Sequence, residues 1–165
     1  MKIHTFEIPF MIRCVREARD IPVIAALFRD YAAGLGVDLA YQGFDAELAS
    51  LPGKYQPPRG ELLLAETAAG APIGCVGLRG LDAPGVCEMK RLFVCASARG
   101  LGLGRRLALR LIEIARERGY REIRLDTLAS MAAAQALYRE LGFLPIAPYF
   151  DSPVDGNQFF SKVLS

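Results

Sequence analysis

The chain has 165 residues with 20 Lys+Arg against 18 Asp+Glu, a formal net charge of +2, too small and too scattered to suit a nucleic acid or an anionic membrane surface. Hydrophobic content of 52% and a mean hydropathy of +0.23 imply extensive burial in one domain spanning 1–165 and are compatible with a homodimer. No apolar run approaches the ~20 residues of a membrane span, and residues 1–10, too briefly apolar for a secretory leader, read as an appendage with Met11 available as a second start.

Ile12–Ala18 reads as a first strand. Asp20 suits a helix N-cap and Pro22 the first turn. The following helix, with Ile24, Leu27, Phe28 and Tyr31 on one side, ends at Gly34 and Gly36. Asp45 is placed to cap a second helix ending near Leu51. Three strands follow, Glu61–Thr67, Pro72–Leu81 and Cys87–Val94, joined by turn-forming segments into an antiparallel meander.

A helix is expected over Leu103–Arg118, because Leu103, Leu107, Leu111, Ile114 and Ala115 recur at threes and fours. Gly119 stops it. Glu122–Thr127 alternates as a strand, and the helical crossover makes it parallel to Cys87–Val94. Ser130 is placed to cap a helix over Met131–Leu141, and two late strands are expected near Pro145–Phe150 and Gln158–Val163. The sum is an α+β fold: a mixed, mostly antiparallel sheet with one parallel pair in the middle.

The four cysteines (Cys14, Cys75, Cys87, Cys95) lack metal-ligand spacing. They sit in apolar runs, as buried reduced thiols of a cytoplasmic protein do, and no metal is expected. His4 is the only histidine and falls in the appendage, so a Ser-His-Asp or Cys-His engine has no base to use.

The junction between Val94 and the Leu103 helix carries the chemistry. Leu92, Phe93 and Val94 form a strand end, and Gly100, Gly102 and Gly104 alternate with leucines before the helix starts. The first amides of a helix have no intrahelical partner, and the helix dipole makes that end positive. Glycines let an anion approach the backbone, so the turn is a phosphate cradle, with Arg99, Arg105 and Arg106 adding charge. The glycine spacing misses the dinucleotide pattern by one position, and Arg105-Arg106 stand where a Walker loop needs Lys-Ser/Thr.

What remains is Arg-x-x-Gly-x-Gly at Arg99, Gly102 and Gly104. Tyr138, thirty-four residues after Gly104, stands in the segment Leu137-Tyr138-Arg139-Glu140-Leu141-Gly142-Phe143. These two motifs, in this order with a helix and strand between, resemble the GCN5-related N-acetyltransferase (GNAT) superfamily over about Leu62–Phe143. The resemblance implies helices on both faces of the sheet and a central parallel strand pair that splays to admit acetyl-CoA. The pantetheine arm would pair with the backbone of Leu92, Phe93 and Val94. The diphosphate would lie on Arg99, Gly100, Leu101, Gly102, Leu103, Gly104 and Arg105.

Tyr138 matches the superfamily tyrosine beside the thioester sulfur, where a phenol donates to the departing thiolate. An attacking amine must first be neutral, and with a pKa of about 10.4 only about one in 2,500 is at pH 7. Glu88 matches the base glutamate of the histone-acetylating branch. Lys90 shares its strand face, so a Glu88–Lys90 ion pair is the competing reading, and Asp126 is the alternative base. One departure stands out: Met131 occupies the position where many members carry an asparagine that touches the cofactor, with Ser130 beside it as a substitute.

Tyr41, Phe44 and Tyr55, with Pro148-Tyr149-Phe150-Asp151, are expected to wall an acceptor pocket. No acidic groove for a basic protein tail is evident. The expected activity is therefore acetyl transfer to a primary amine of a small molecule or amino acid. The alternatives are protein lysine or N-terminal acetylation, and a non-catalytic acyl-CoA sensor.

Overall fold

The computed structural model describes residues 9–165. It contains β1 (Phe10–Cys14), α1 (Ile21–Ala33), α2 (Phe44–Ser50), β2 (Glu61–Thr67), β3 (Pro72–Gly80), β4 (Val86–Val94), α3 (Leu103–Glu117), β5 (Glu122–Thr127), α4 (Ala132–Glu140), β6 (Leu144–Ile146) and β7 (Gln158–Val163). The strands form one sheet in the order β1-β2-β3-β4-β5-β7-β6. Only β4 and β5 run parallel; every other neighbour pair is antiparallel. Among the described residues no helix is long and apolar enough to cross a membrane.

β2 shows why the sheet is central. Leu62 and Leu64 belong to one core with Ile24, Leu27 and Phe28 of α1, while Leu63 and Ala65 belong to another with Leu103, Leu107 and Leu111 of α3. Both faces of the strand are covered, so its apolar run is continuous rather than alternating. Each fully buried leucine contributes about 1.5–3 kcal/mol. Tyr138 and Leu141 of α4 join the α3 core, so α1 and α3 pack on opposite faces of the sheet, with α4 on the α3 side.

Two features of β4 position the site. Its pairing with β5 is confined to Val86–Glu88 against Glu122–Arg124, although β5 continues to Thr127 and β4 to Val94. Beyond Glu88 the parallel strands part. On the other edge, register with β3 passes from Gly77↔Lys90 to Cys75↔Phe93, one extra residue on β4. That bulge holds Arg91 at φ 62, in the left-handed region, a conformation that costs an arginine about 1–3 kcal/mol unless its surroundings enforce it.

Several boundaries depart from expectation. The first strand is Phe10–Cys14, not Ile12–Ala18. Phe10, assigned to the appendage, pairs with Thr67, whereas His4 and residues 1–8 lie outside the described residues. Asp20 stands at the α1 N-cap position without capping, because Arg13 takes its carboxylate with two 2.8 Å hydrogen bonds. Gly43, not Asp45, is the α2 N-cap, and Ser130 does not cap α4, whose N-cap position is Met131. The sixth strand is Leu144–Ile146, freeing Tyr149 and Phe150 to pack edge-on against Phe159. All four cysteines are free, but only Cys75 and Cys87 are fully buried.

Charge is also buried for structure. Glu61, fully buried, accepts two hydrogen bonds from Arg16, one from Arg118 and one from the Leu62 amide. Burial alone would raise its pKa, but these donors win and hold it below the usual carboxylate range. Arg13 does the same for Asp20. A depressed folded-state pKa means stability that is present above the unfolded value and lost as pH falls through the folded one. The urea midpoint should therefore be flat from about pH 6 to 8 and fall progressively below about pH 4.5. A midpoint that holds steady to pH 3 would contradict this assignment.

Candidate active site

The expected phosphate turn forms as a left-handed step into α3. Gly100 and Gly102 have φ of 78 and 77, and Gly102 is the N-cap residue, with no side-chain cap. A Cβ at either would meet nothing within 4 Å. Backbone conformation therefore demands glycine there, and the outer side of the turn is open. The first amide closing a helical bond is Arg106 N–H to Gly102 O, 3.1 Å. The amides of Leu103, Gly104 and Arg105 precede it and have no helical partner.

Of the arginines, Arg99 donates Nε–H to Val94 O at 3.2 Å, and Arg105 pairs with Glu140 of α4 at 3.1 Å. Both stay at the turn. Arg106 instead lies over the Phe10 ring, 4.6 Å from its centroid, turned toward β1.

Leu92, Phe93 and Val94 are half-buried. They lie on the part of β4 that no longer pairs with β5, so their backbone on that edge faces the gap. Tyr138 is buried and meets Phe143 edge-on, ring centroids 5.8 Å apart. Burial, reinforced by Tyr31 and the Asp126 carboxylate, pushes its phenol well above the usual range. Leu137, one residue before it, would touch a Cβ at Gly104 at 4.0 Å. α4 thus runs close to the start of α3, where Arg105 also meets Glu140.

Glu88 is fully buried where the gap begins. The expected pairing with Lys90 exists but is long, 3.8 Å. Its shorter partners are Arg79 Nε–H at 2.8 Å and the Tyr149 hydroxyl at 2.6 Å, both donating to it. Burial would raise the Glu88 pKa, but Lys90, Arg79 and the Tyr149 hydrogen bond together hold it below the carboxylate range. Asp126 stands across the gap, 3.9 Å from Lys90 Nζ, and accepts from Asn157 Nδ2 at 3.2 Å. Met131 receives the Thr127 hydroxyl on its sulfur, 3.7 Å away; Ser130 is exposed.

A cavity of about 350 Å³ opens beside Glu88, lined by Tyr41, Gln42, Arg79, Lys90, Tyr149 and Asp151, among others. Of the aromatic residues expected around an acceptor, Tyr41, Tyr149 and Phe150 line it. Phe44 and Tyr55 are buried in the α1 core, and Phe44 lies beneath the Arg91 guanidinium.

Sequence inspection gave no warning of Arg91, Gln42, Glu47 or Gln135. Arg91 Nε and Nη2 grip the Glu47 carboxylate at 3.0 and 3.1 Å, and Nη1 donates to Gln42 Oε1 at 2.9 Å. The β4 bulge is thereby tied to α2 and to the turn before it. Gln135 Nε2 caps Leu128 O at 2.9 Å, holding the β5–α4 connection.

The sequence profile described as "Acetyltransferase (GNAT) family" matches residues 25–143. An uncharacterized N-acetyltransferase of Schizosaccharomyces pombe is 38% identical over 143 residues, 87% of this chain and 88% of its own. A GNAT-family acetyltransferase from Staphylococcus aureus superposes with a TM-score of 0.79 at 21% identity, over 95% of this chain and 100% of its own. A putative acetyltransferase from Salmonella typhimurium, solved with its cofactor acetyl-CoA, does so with a TM-score of 0.73 at 23% identity, over 94% of both chains. The parted parallel strands, the uncapped glycine turn and these matches lead to one assignment: the chain is an acetyltransferase and belongs to the GNAT family.

Proposed function

We propose that the protein transfers the acetyl group of acetyl-CoA directly to a primary amine of a small molecule or amino acid. The observation that carries this reading is the alignment of three features along one gap. The free amides of Leu103, Gly104 and Arg105 stand at one end. The unpaired edge of Leu92–Val94 runs along it. Glu88 and its cavity lie where it closes. In this reading the diphosphate takes the amides together with Arg99, Gly100, Leu101, Gly102 and Arg105, and the pantetheine takes the strand edge. Tyr138 serves the departing sulfur.

The amine nitrogen attacks the thioester carbonyl, the C–S bond breaks, and the ammonium formed gives up a proton. Glu88 is ionised at neutral pH and too weak a base to take that proton outright. Its part is to polarise water at the cavity, through which the proton leaves. The four free cysteines suit a reducing compartment such as the cytoplasm.

The test is thiol release from acetyl-CoA by the purified protein across amines, amino acids and peptides. Turnover with small amines supports the proposal. Turnover confined to peptides favours protein acetylation, and coenzyme binding without release favours a sensor. With an accepted amine, kcat/KM should climb tenfold per pH unit from pH 6 toward the amine's own pKa. A plateau well below that pKa would instead mark a protein group of raised pKa as the direct base.

A further inference from the structure

Lys90 is a buried charge with no part in the reaction proposed above. It follows Glu88 by two residues on the same face of β4. Glu88 is the last residue of β4 in register with β5, opposite Arg124. Continued past that point, the register sets Lys90 across from Asp126, where the strands have parted. Its side chain spans the opening: Nζ lies 3.8 Å from Glu88 Oε1 and 3.9 Å from Asp126 Oδ1 on β5. Both distances are longer than a hydrogen bond. Among the described residues its one hydrogen bond goes to Gln42 Oε1, at 3.1 Å. An ammonium has three N–H groups, so two are left without a hydrogen-bond partner there, although the residue is buried. Lys90 also lines the cavity beside Glu88.

A primary amine of the chain itself therefore stands at the place an acceptor amine has to reach. In the transferase reading the pantetheine lies along Leu92–Val94, with Glu88 and its cavity where the gap closes. Lys90 falls between the two. Its nitrogen is also easier to neutralise than that of a surface lysine. Burial, with Arg91 and Arg79 nearby, pulls its pKa below the usual lysine range, and the Glu88 and Asp126 carboxylates offset this only in part. A lower pKa means a larger neutral fraction at a given pH. Lysine stands at only four positions, 2, 54, 90 and 162. Lys54 is exposed and Lys162 half-buried, and position 2 lies outside the described residues.

We propose that Lys90 is a self-modification site, its Nζ taking the acetyl group of bound acetyl-CoA when no acceptor fills the cavity. The ammonium first gives one proton to water. The neutral nitrogen attacks the thioester carbonyl, the N–C bond forms and the C–S bond breaks. The coenzyme leaves as its thiolate, and the nitrogen gives its second proton to water. The product is a neutral amide beside two carboxylates, in the acceptor's place. This inference rests on the transferase reading above.

The test incubates the purified protein with acetyl-CoA and no added amine, and follows tryptic peptides by mass spectrometry. Acetylation at Lys90 blocks cleavage after it, so the peptide Gly80–Arg91 appears whole and heavier by one acetyl group, which fragmentation assigns to Lys90. Delivery within a bound complex replaces a bimolecular encounter, so Lys90 should react at least about tenfold faster than Lys54 and Lys162. The rate should be independent of protein concentration, and an accepted amine should suppress it. Tyr138→Phe should slow Lys90 as it slows turnover and leave Lys54 unchanged.

Reaction with acetyl-CoA free in solution gives the opposite order, exposed lysines first, and that order overturns the inference. So does a Lys90 rate that rises with protein concentration, or one that Tyr138→Phe leaves unmoved while turnover falls. Turnover of small amines with Lys90 unmodified overturns the inference and leaves the transferase reading intact. No thiol release with any amine and no acetylation of Lys90 overturns both. The order of reaction in the wild-type protein decides the matter even where a variant fails to fold.

Discussion

Replacing Tyr138 by Phe will lower kcat by about 10²-fold with any accepted amine while leaving the KM for acetyl-CoA nearly unchanged. The size follows from what the phenol is able to do. Burial holds it well above its ordinary range, so it is protonated at every working pH. A departing thiolate with a pKa of about 8.5 is too weak a base to take its proton outright. In the proposed reaction the hydroxyl instead donates a hydrogen bond as charge develops on sulfur. A hydrogen bond to a charged group is worth about 1.5–3 kcal/mol, and more of that is realised in the transition state than in the neutral thioester.

Phe keeps the edge-on contact with Phe143 and the place in the α3 core, so the thermal midpoint should scarcely move. The pH profile separates the two kinds of donor. A hydrogen bond predicts the same deficit at pH 6 and pH 9, whereas full proton transfer predicts a deficit that changes as the free thiol's own titration is crossed. A variant with unchanged kcat at both would remove Tyr138 from the reaction.

The motif that contains that tyrosine was legible before any coordinates, and the reason is local. The turn, the helix start and the Leu137–Phe143 segment are contiguous stretches whose spacing carries their meaning. Apolar runs placed β2, β5 and β7 at their observed bounds because strand residues there face a core on one side or both. What escaped notice is side-chain pairing between residues distant in sequence. Asp20 has the composition of an N-cap, but Arg13 seven residues earlier claims it. Glu88 looked like half of a pair with Lys90, its neighbour on the strand face, whereas its short contacts come from Arg79 on β3 and Tyr149 sixty-one residues away. Lys90-Arg91 resembles an exposed basic pair, yet both are buried. Nothing in the local sequence announces a left-handed arginine, because its conformation is enforced by Glu47, Gln42 and the rings of Tyr31 and Phe44. The same holds for Tyr55, whose ring is buried only once Phe28 of α1 and Gly77 of β3 have packed against it.

The most selective probe of the turn is Gly104→Pro set against Gly104→Ala. Gly104 is the second residue of α3, and its amide precedes the first helical bond, that of Arg106. Proline there removes one N–H and no helical hydrogen bond. A residue before proline normally avoids the helical region, which would distort Leu103. α1 shows that this chain bears the arrangement: Pro22 is its second residue, and Ile21 before it holds φ −61 and ψ −47. A Cβ at Gly104 meets Val94 Cγ2 at 3.7 Å and Leu137 Cδ2 at 4.0 Å, ordinary contacts. Alanine should therefore fit and, as a better helix former by about 1 kcal/mol, hold or raise the thermal midpoint. If the amides of the turn grip a diphosphate, the proline variant loses one charge-assisted hydrogen bond, about 1.5–3 kcal/mol. Its calorimetric Kd for acetyl-CoA should then weaken by about 10- to 10²-fold, against a change within about threefold for alanine. Equal affinities in two folded variants would mean that the phosphates do not use this amide, and the cradle would have to be placed elsewhere on the turn.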